Sequence, residues 1–315
     1  MKRVLILYYS QTGQLSNVVK SFTDPLNQSD DIDIVYQNIK PKTPYPFPWG
    51  KIEFFDIFPE SVYMDGCKLQ EFTNIKEEDD FDLIILAYTV WFLSPSLPIS
   101  GFLNSKYAKL LKNKPVITLI ACRNMWIMAQ EKVKDKLSSL GAKLIDNVVL
   151  IDQGGNIATF ITTPRWMWTG KKNSILGLPK AGVSLDEIQR ASRFGFAIKD
   201  ALHLNLEKEG KPLLGGLKAV RVDNKLIGTE KIAHKSFLIW GKFIKKFGNT
   251  GDATRIPALI LYFIFLLTLI LTVVPINMLI KLIIRKLNPQ KLEEERIYLE
   301  RPSGSGDERL KDFIL

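Results

Sequence analysis

Ser10, Thr12 and Gly13 place two hydroxyls and a conformationally free residue in the stretch Ser10-Gln11-Thr12-Gly13-Gln14-Leu15-Ser16. An apolar run, Val4 to Tyr9, precedes it, and a helix-like run, Leu15 to Phe22, overlaps its end. Such a junction aims free backbone N–H groups and the positive end of a helix dipole at one spot, which suits an anion. The other reading is an ordinary strand-to-helix turn in which Ser10 or Thr12 caps the helix; the loop by itself does not separate the two. It contains no lysine, and it is neither a Walker A loop nor a GxGxxG turn. Arg123 and Asn124 also follow an apolar run, where a parallel sheet points side chains into a ligand crevice. Tyr88 closes another such run, with Trp91 and Phe92 just beyond it. Cys67 and Cys122 have no metal-like or redox-like spacing and read as reduced, small apolar residues; no metal site is expected.

The elements that must position these residues alternate. Strand candidates are Val4 to Tyr9, Ile32 to Ile39, Phe81 to Tyr88, Pro115 to Ala121 and Lys143 to Ile151; the first, third and fourth are nearly continuous apolar runs, as strands covered on both faces are. Helix candidates run from Ile99 to Leu111, from Met128 to Leu140 with Gly141 as its stop, and from Ser184 to Leu204, where Ser184 and Glu187 form a capping pattern. Five strands alternating with helices give an α/β fold around a parallel sheet in the order 2-1-3-4-5, with its ligand between strands 1 and 3. Pro41, Pro44, Pro46 and Pro48 exclude regular structure between strands 2 and 3. That segment carries Tyr45, Phe47 and Trp49 either into a rigid loop packed on the sheet or into a substrate wall. The irregular stretch from Ile52 to Ile75 reads as a lid.

The 43 Lys and Arg residues outnumber 33 Asp and Glu residues, for a net charge of +10. Nucleic acid or an anionic membrane would suit that balance. An uncharged run from Ile256 to Ile280 favours the membrane, because it is long enough for a transmembrane helix; a kinked or re-entrant helix is the reserve reading, given Pro275 and Asn277. Phe160 to Lys172 mixes tryptophan with cations as an interfacial segment does, and Phe237 to Phe247 is amphipathic. The expected organisation is a domain over 1–205, a linker over 206–255, the membrane helix over 256–280 and a loose charged tail over 281–315. Because the amino terminus is a core strand, a cleaved leader is not expected, and the domain is placed in the cytoplasm on a membrane.

The loop resembles the phosphate loop of the flavodoxin-like family, with Ser10, Thr12 and Gly13 in place and Leu15 where that family has its last threonine. The resemblance implies FMN, held by Ser10, Gln11, Thr12, Gly13, Gln14, Leu15 and Ser16, with Trp91 and Phe92 at one ring-flanking loop and Arg123 and Asn124 at the other. Trp91 is either the stacking partner of the ring or a core aromatic. The stretches Pro46-Phe47-Pro48-Trp49, Phe58-Pro59-Glu60-Ser61-Val62, Ser94-Pro95-Ser96-Leu97-Pro98, Cys122-Arg123-Asn124-Met125-Trp126 and Ala191-Ser192-Arg193-Phe194-Gly195 are together similar to the dialkylresorcinol condensing enzyme (DarA-type) family of aryl-polyene and flexirubin pigment clusters. A carbon–carbon condensing site needs a cysteine nucleophile with histidines, and the only histidines, His203 and His234, lie outside the expected crevice. The resemblance therefore implies the neighbouring step. A ketosynthase with its acyl carrier protein makes a dialkyl cyclohexane-1,3-dione, and this chain aromatises it to the resorcinol, with Arg123 stabilising the enolate and Tyr88 relaying a proton. A membrane-tethered FMN NAD(P)H:quinone reductase or electron carrier, and a flavin-free scaffold, are the alternatives.

Overall fold

The computed structural model describes residues 1–156, 158–273 and 289–313. Strand β1 (Lys2–Tyr8) is buried from Val4 to Leu7 and leads into α1 (Gln14–Asn27). Strand β2 (Ile32–Asn38) pairs with β1 in parallel, Lys2 opposite Ile32. Between β2 and the next strand lie the expected proline-rich excursion and two short helices, α2 (Lys51–Asp56) and α3 (Phe58–Val62). Strand β3 (Leu83–Tyr88), buried throughout, pairs with β1 on its other side.

A short antiparallel pair follows, β4 (Val90–Trp91) and β5 (Ser94–Pro95). Phe92 and Leu93 turn it with φ of 49° and 58°, a left-handed conformation that costs bulky residues about 1–2 kcal/mol each. After α4 (Leu97–Leu103) and a 3₁₀ turn over Lys106–Leu111 come β6 (Pro115–Cys122), α5 (Ile127–Ser139) and β7 (Lys143–Ile151). Ile99 to Leu111 was expected as one helix. Ser105 Oγ donates to Phe102 O at 2.7 Å and takes up a carbonyl where the α-helix stops.

Counted over the seven strands among the described residues, the sheet order is 2-1-3-6-7. It differs from the expected 2-1-3-4-5 because the β4–β5 pair forms its own small sheet between the third and fourth strands of the main one. This is a flavodoxin-like, five-stranded parallel α/β arrangement, and the carboxyl ends of β1, β3, β6 and β7 share one rim.

Helix α6 (Thr159–Thr169) ends at Gly170, which has φ of 71°. The expected helix from Ser184 to Leu204 is two helices, α7 (Leu185–Arg190) and α8 (Ser192–His203). Arg193 donates to Arg190 O at 2.8 Å at the break, and Ser184 caps α7 by accepting the Glu187 N–H. Helix α9 (Ile227–Lys245) contains the amphipathic stretch, and α10 (Ile256–Thr268) continues as π-helix over Leu269–Val273.

The transmembrane helix expected over 256–280 falls partly outside the described residues. Among the described residues no helix is long and apolar enough to cross a membrane. Ala258, Leu259 and Tyr262 of α10 are instead buried in a protein cluster with Phe55, Phe58 and Val62, and residues 274–280 lie outside the described ones. The end of the chain is not loose either. Helix α11 (Pro289–Glu300) brings Ser303 to the free edge of β7, where its hydroxyl donates to Asp146 Oδ1 at 2.6 Å and accepts the Asn147 N–H at 2.8 Å. Burial holds the Asp146 carboxyl up at about 6. Residues 213–222 run beside the same edge, with Val149 donating to Ala219 O, so the exposed ladder of an edge strand is covered.

Candidate active site

The turn after β1 is built from its backbone outward. Gly13, the N-cap of α1, has φ of 79°, and a Cβ there would meet nothing within 4 Å, so glycine serves the conformation rather than the space. Ser10 Oγ accepts the Ser16 N–H at 3.2 Å, and Thr12 Oγ1 lies 3.5 Å from the Gln14 nitrogen. The first turn of a helix leaves its N–H groups without intrahelical partners. Among the described residues the Leu15 N–H has no acceptor in the protein. The Leu15 side chain is a core residue, which accounts for an apolar side chain where the flavodoxin-like loop has threonine.

Two glutamines tie this loop to opposite walls. Gln11 donates to Pro46 O at 2.6 Å and accepts from Trp49 Nε1 at 3.2 Å. Gln14 Oε1 accepts from Lys172 Nζ and from the Val183 N–H, each at 3.0 Å. On the Gln11 side the proline-rich segment crosses to α6, where Trp49 donates to Met167 O at 2.8 Å and Phe47 meets Trp166. Trp91 is surrounded by Tyr9, Tyr45 and Trp49 at ring-centroid distances of 5.9, 5.1 and 5.6 Å. The excursion is therefore a packed loop whose rings gather around Trp91. Phe92 does not join it: it turns away to Phe54 and Phe58, at 4.7 and 5.2 Å.

On the Gln14 side stand the ends of β6 and β7. Arg123 Nε donates to Thr159 Oγ1 at 2.8 Å, and the guanidinium lies 4.1 Å above the Phe160 ring. Burial pulls its pKa down to about 10, with Asp152 opposing, and no carboxylate among the described residues lies within 4 Å of it. Asn124 donates to Asn156 Oδ1 at 2.6 Å, while its own Oδ1 is buried without a partner. Asp152 accepts from the Gly154 N–H at 2.7 Å and the Gly182 N–H at 2.5 Å; burial raises its pKa against those bonds. Gly182 joins the two flanks. It has φ of 93°, and a Cβ there would lie 2.1 Å from Gln14 Oε1, so only glycine lets the β7 flank approach the loop. Desolvation lowers the pKa of Lys172, with Asp152 opposing.

Loop, aromatic wall and Arg123 thus converge, and Gln11, Gln14, Lys172, Asp152 and Gly182 hold them together. Tyr88 stands outside. It is fully buried, its hydroxyl donates to Gln130 Oε1 at 2.6 Å, and Gln130 donates to Thr118. Spent inside the core, that hydroxyl has no path to a crevice. Cys122 is likewise packed, with its thiol pKa pushed well up by burial. His203 pairs with Asp31, and His234 lies near Lys132, both away from the loop.

A cavity of about 1000 Å³ adjoins the crevice through Asp152, Gln153 and Ser184. Two of its arginines are paired, Arg193 with Glu187 and Arg296 with Glu300. The set at the loop fits a ligand with a phosphate at one end and a flat ring at the other. The Ser10 and Thr12 hydroxyls, the Leu15 N–H and Lys172 would meet the phosphate, Trp91 and its neighbours the ring, and Arg123 and Asn124 its polar edge. Asn124 Oδ1, buried without a partner, is an acceptor that such a ligand would satisfy.

No protein-family model matches this chain, and no curated protein does. Solved structures that it resembles include a flavoprotein in complex with FMN from Lactobacillus acidophilus NCFM, at 19% identity and a TM-score of 0.38, covering 47% of this chain and 93% of that one. A flavodoxin from the domain Archaea aligns at 10% identity and 0.35, over 64% and 99%. A flavodoxin, WrbA-like protein from Agrobacterium tumefaciens aligns at 8% and 0.36, over 65% and 99%. These values are too low to bear on function; the fold stands on the sheet order and the site on its residues.

Proposed function

We propose that this chain is an FMN-dependent oxidoreductase that aromatises a dialkyl cyclohexane-1,3-dione to a dialkylresorcinol in pigment-lipid biosynthesis. The observation that carries the reading is the convergence of a glycine-turned loop with a free N–H, an aromatic wall and a desolvated arginine on one rim of a parallel sheet. Bound FMN would supply a hydride acceptor, matching the loss of one hydride and one proton on aromatisation. The chain's own residues bind and orient. Arg123 has no carboxylate partner among the described residues and offers its charge to an enolate oxygen, an interaction that strengthens as negative charge develops. A 1,3-dione is acidic enough to ionise without a strong base, so the loss of Tyr88 as a relay leaves the chemistry intact. The aromatic wall excludes water from the ring. The dione would come from a ketosynthase working on acyl carrier protein, at a membrane where its alkyl chains dissolve.

Anaerobic single turnover with a synthetic dialkyl cyclohexane-1,3-dione tests this. Flavin bleaching with formation of a product lighter by two hydrogens supports it; an unchanged dione beside a fully flavinylated protein refutes it. A quinone would fit the same aromatic wall, and bleaching by NADPH with quinone turnover would assign the chain instead to the reductases.

A further inference from the structure

We infer that the α9–α10 hairpin is a platform that lies on an anionic bilayer surface and is joined to the crevice by a continuous aromatic cluster. The inference deepens the proposed function by naming where the chain meets a lipophilic substrate, and it rests on that reading for the substrate alone.

The hairpin is held rigidly. Arg255 between the helices is fully buried and meets Asp56 at 3.4 Å and Glu60 at 3.1 Å, while Asp56 accepts the Gly251 N–H at 2.6 Å. Tyr63 of α3 donates to Leu238 O at 2.8 Å, and Gly241 lets its ring approach, since a Cβ there would lie 3.2 Å away. The hairpin is seated on α2 and α3, and α9 also on α5 through Glu230 and Met128, which leaves one side exposed. On α10 Ile260, Leu261, Ile264 and Leu267 are exposed at helical spacing, an apolar stripe without a charge. On α9 and just past its end, Ile239, Phe243 and Phe247 are exposed beside Lys235, Lys242 and Lys246.

The charges choose the occupant. Lys235, Lys242 and Lys246 have no ion pair among the described residues, and from Lys231 to Thr272 the only acidic residue is Asp252, in the interhelical turn. A second copy would bring like charge against like, whereas an anionic leaflet attracts each lysine by about five-fold in partitioning. Tyr262 and Leu259 seat α10 along the protein, on the cluster with Phe55, Phe58 and Val62, so its exposed stripe runs along that surface. In-plane docking follows.

The platform is continuous with the site. Tyr262 stacks on Phe58 at 4.2 Å, Phe58 meets Phe92, Phe92 meets Phe54, Phe54 meets Trp49, and Trp49 meets Trp91. These rings are packed against one another, so the platform and the rim share one aromatic cluster.

Flotation of the full chain with vesicles tests the inference. Binding should be stronger to phosphatidylcholine vesicles containing phosphatidylglycerol than to phosphatidylcholine alone, and weaker at high salt. The combined Lys235→Gln, Lys242→Gln and Lys246→Gln variant should lose about 100-fold in partitioning, and Leu261→Glu with Ile264→Glu should abolish flotation while circular dichroism is unchanged. If that double variant does not fold, Ile239→Ser replaces it and should weaken binding. Flotation indifferent to lipid charge, salt and these variants would overturn the inference, as would failure to float together with dimerisation in sedimentation. None of these readouts involves flavin, so a chain that floats but does not take up FMN would refute the redox reading alone.

Discussion

Replacing Glu230 with glutamine should change the slope, not only the level, of stability against pH. Glu230 is fully buried on α9; its Oε1 accepts the Met128 N–H at 2.7 Å, while Oε2 has no partner among the described residues. Burial holds the carboxyl up at about 8, although N–H groups at the start of α5 pull the other way. A carboxyl raised in the folded state above its ordinary 4.5 stabilises the fold fully below pH 4.5, and that stability is lost as the pH rises through about 8. Over that interval, at about 1.4 kcal/mol per pH unit, the ceiling is roughly 5 kcal/mol. Glu230→Gln keeps an acceptor for Met128 and removes the titration, but it buries an unpaired N–H at a cost of about 1–3 kcal/mol. The variant should be less stable than the parent near pH 5 and more stable near pH 8, with the curves crossing between. Urea unfolding followed by tryptophan fluorescence across that range measures both. Parallel curves would show that Glu230 ionises as an exposed carboxyl does, and would refute the burial reasoning.

Arg255→Met should cost about 3–5 kcal/mol, because Asp56 and Glu60 are left without their buried cation, and thermal unfolding reads the loss. Lys172→Met should weaken FMN binding about 10- to 100-fold, the worth of a charge-assisted bond, in a fluorescence titration; unchanged affinity would remove Lys172 from the phosphate end. Ser303→Ala should cost about 1–3 kcal/mol by stripping Asp146 and the Asn147 N–H of a shared partner, and an unchanged urea midpoint would show that the chain end does not secure β7.

The sheet was legible because Val4 to Leu7 and Leu83 to Tyr88 are apolar without alternation, which only doubly covered strands require. The place of the loop and Arg123 at the carboxyl rim was legible because both follow apolar strands of such a sheet. The β4–β5 pair was not, since Phe92 and Leu93 occupy left-handed positions that a reader assigns to Asn or Gly. Lys172, Asp152 and Gly182 come from a stretch without periodicity, and only tertiary contact brings them to Gln14. The sole signal for Lys172 was its place beside tryptophans, which pointed to an interface rather than a phosphate. For the run after Ile256, hydropathy alone does not distinguish lipid from the aromatic cluster that buries Tyr262. The Ser-Gly repeat at 303–306 reads as a linker, yet Ser303 is spent on Asp146 and Asn147.

A titration of the purified full chain with FMN, followed by flavin absorption and fluorescence, tests the central claim most directly. The account predicts stoichiometric uptake with strong quenching of the flavin by the aromatic wall around Trp91, lost in Trp91→Ala and retained in Phe92→Ala. A folded chain that takes up no FMN, or one whose binding is indifferent to Trp91, would contradict it.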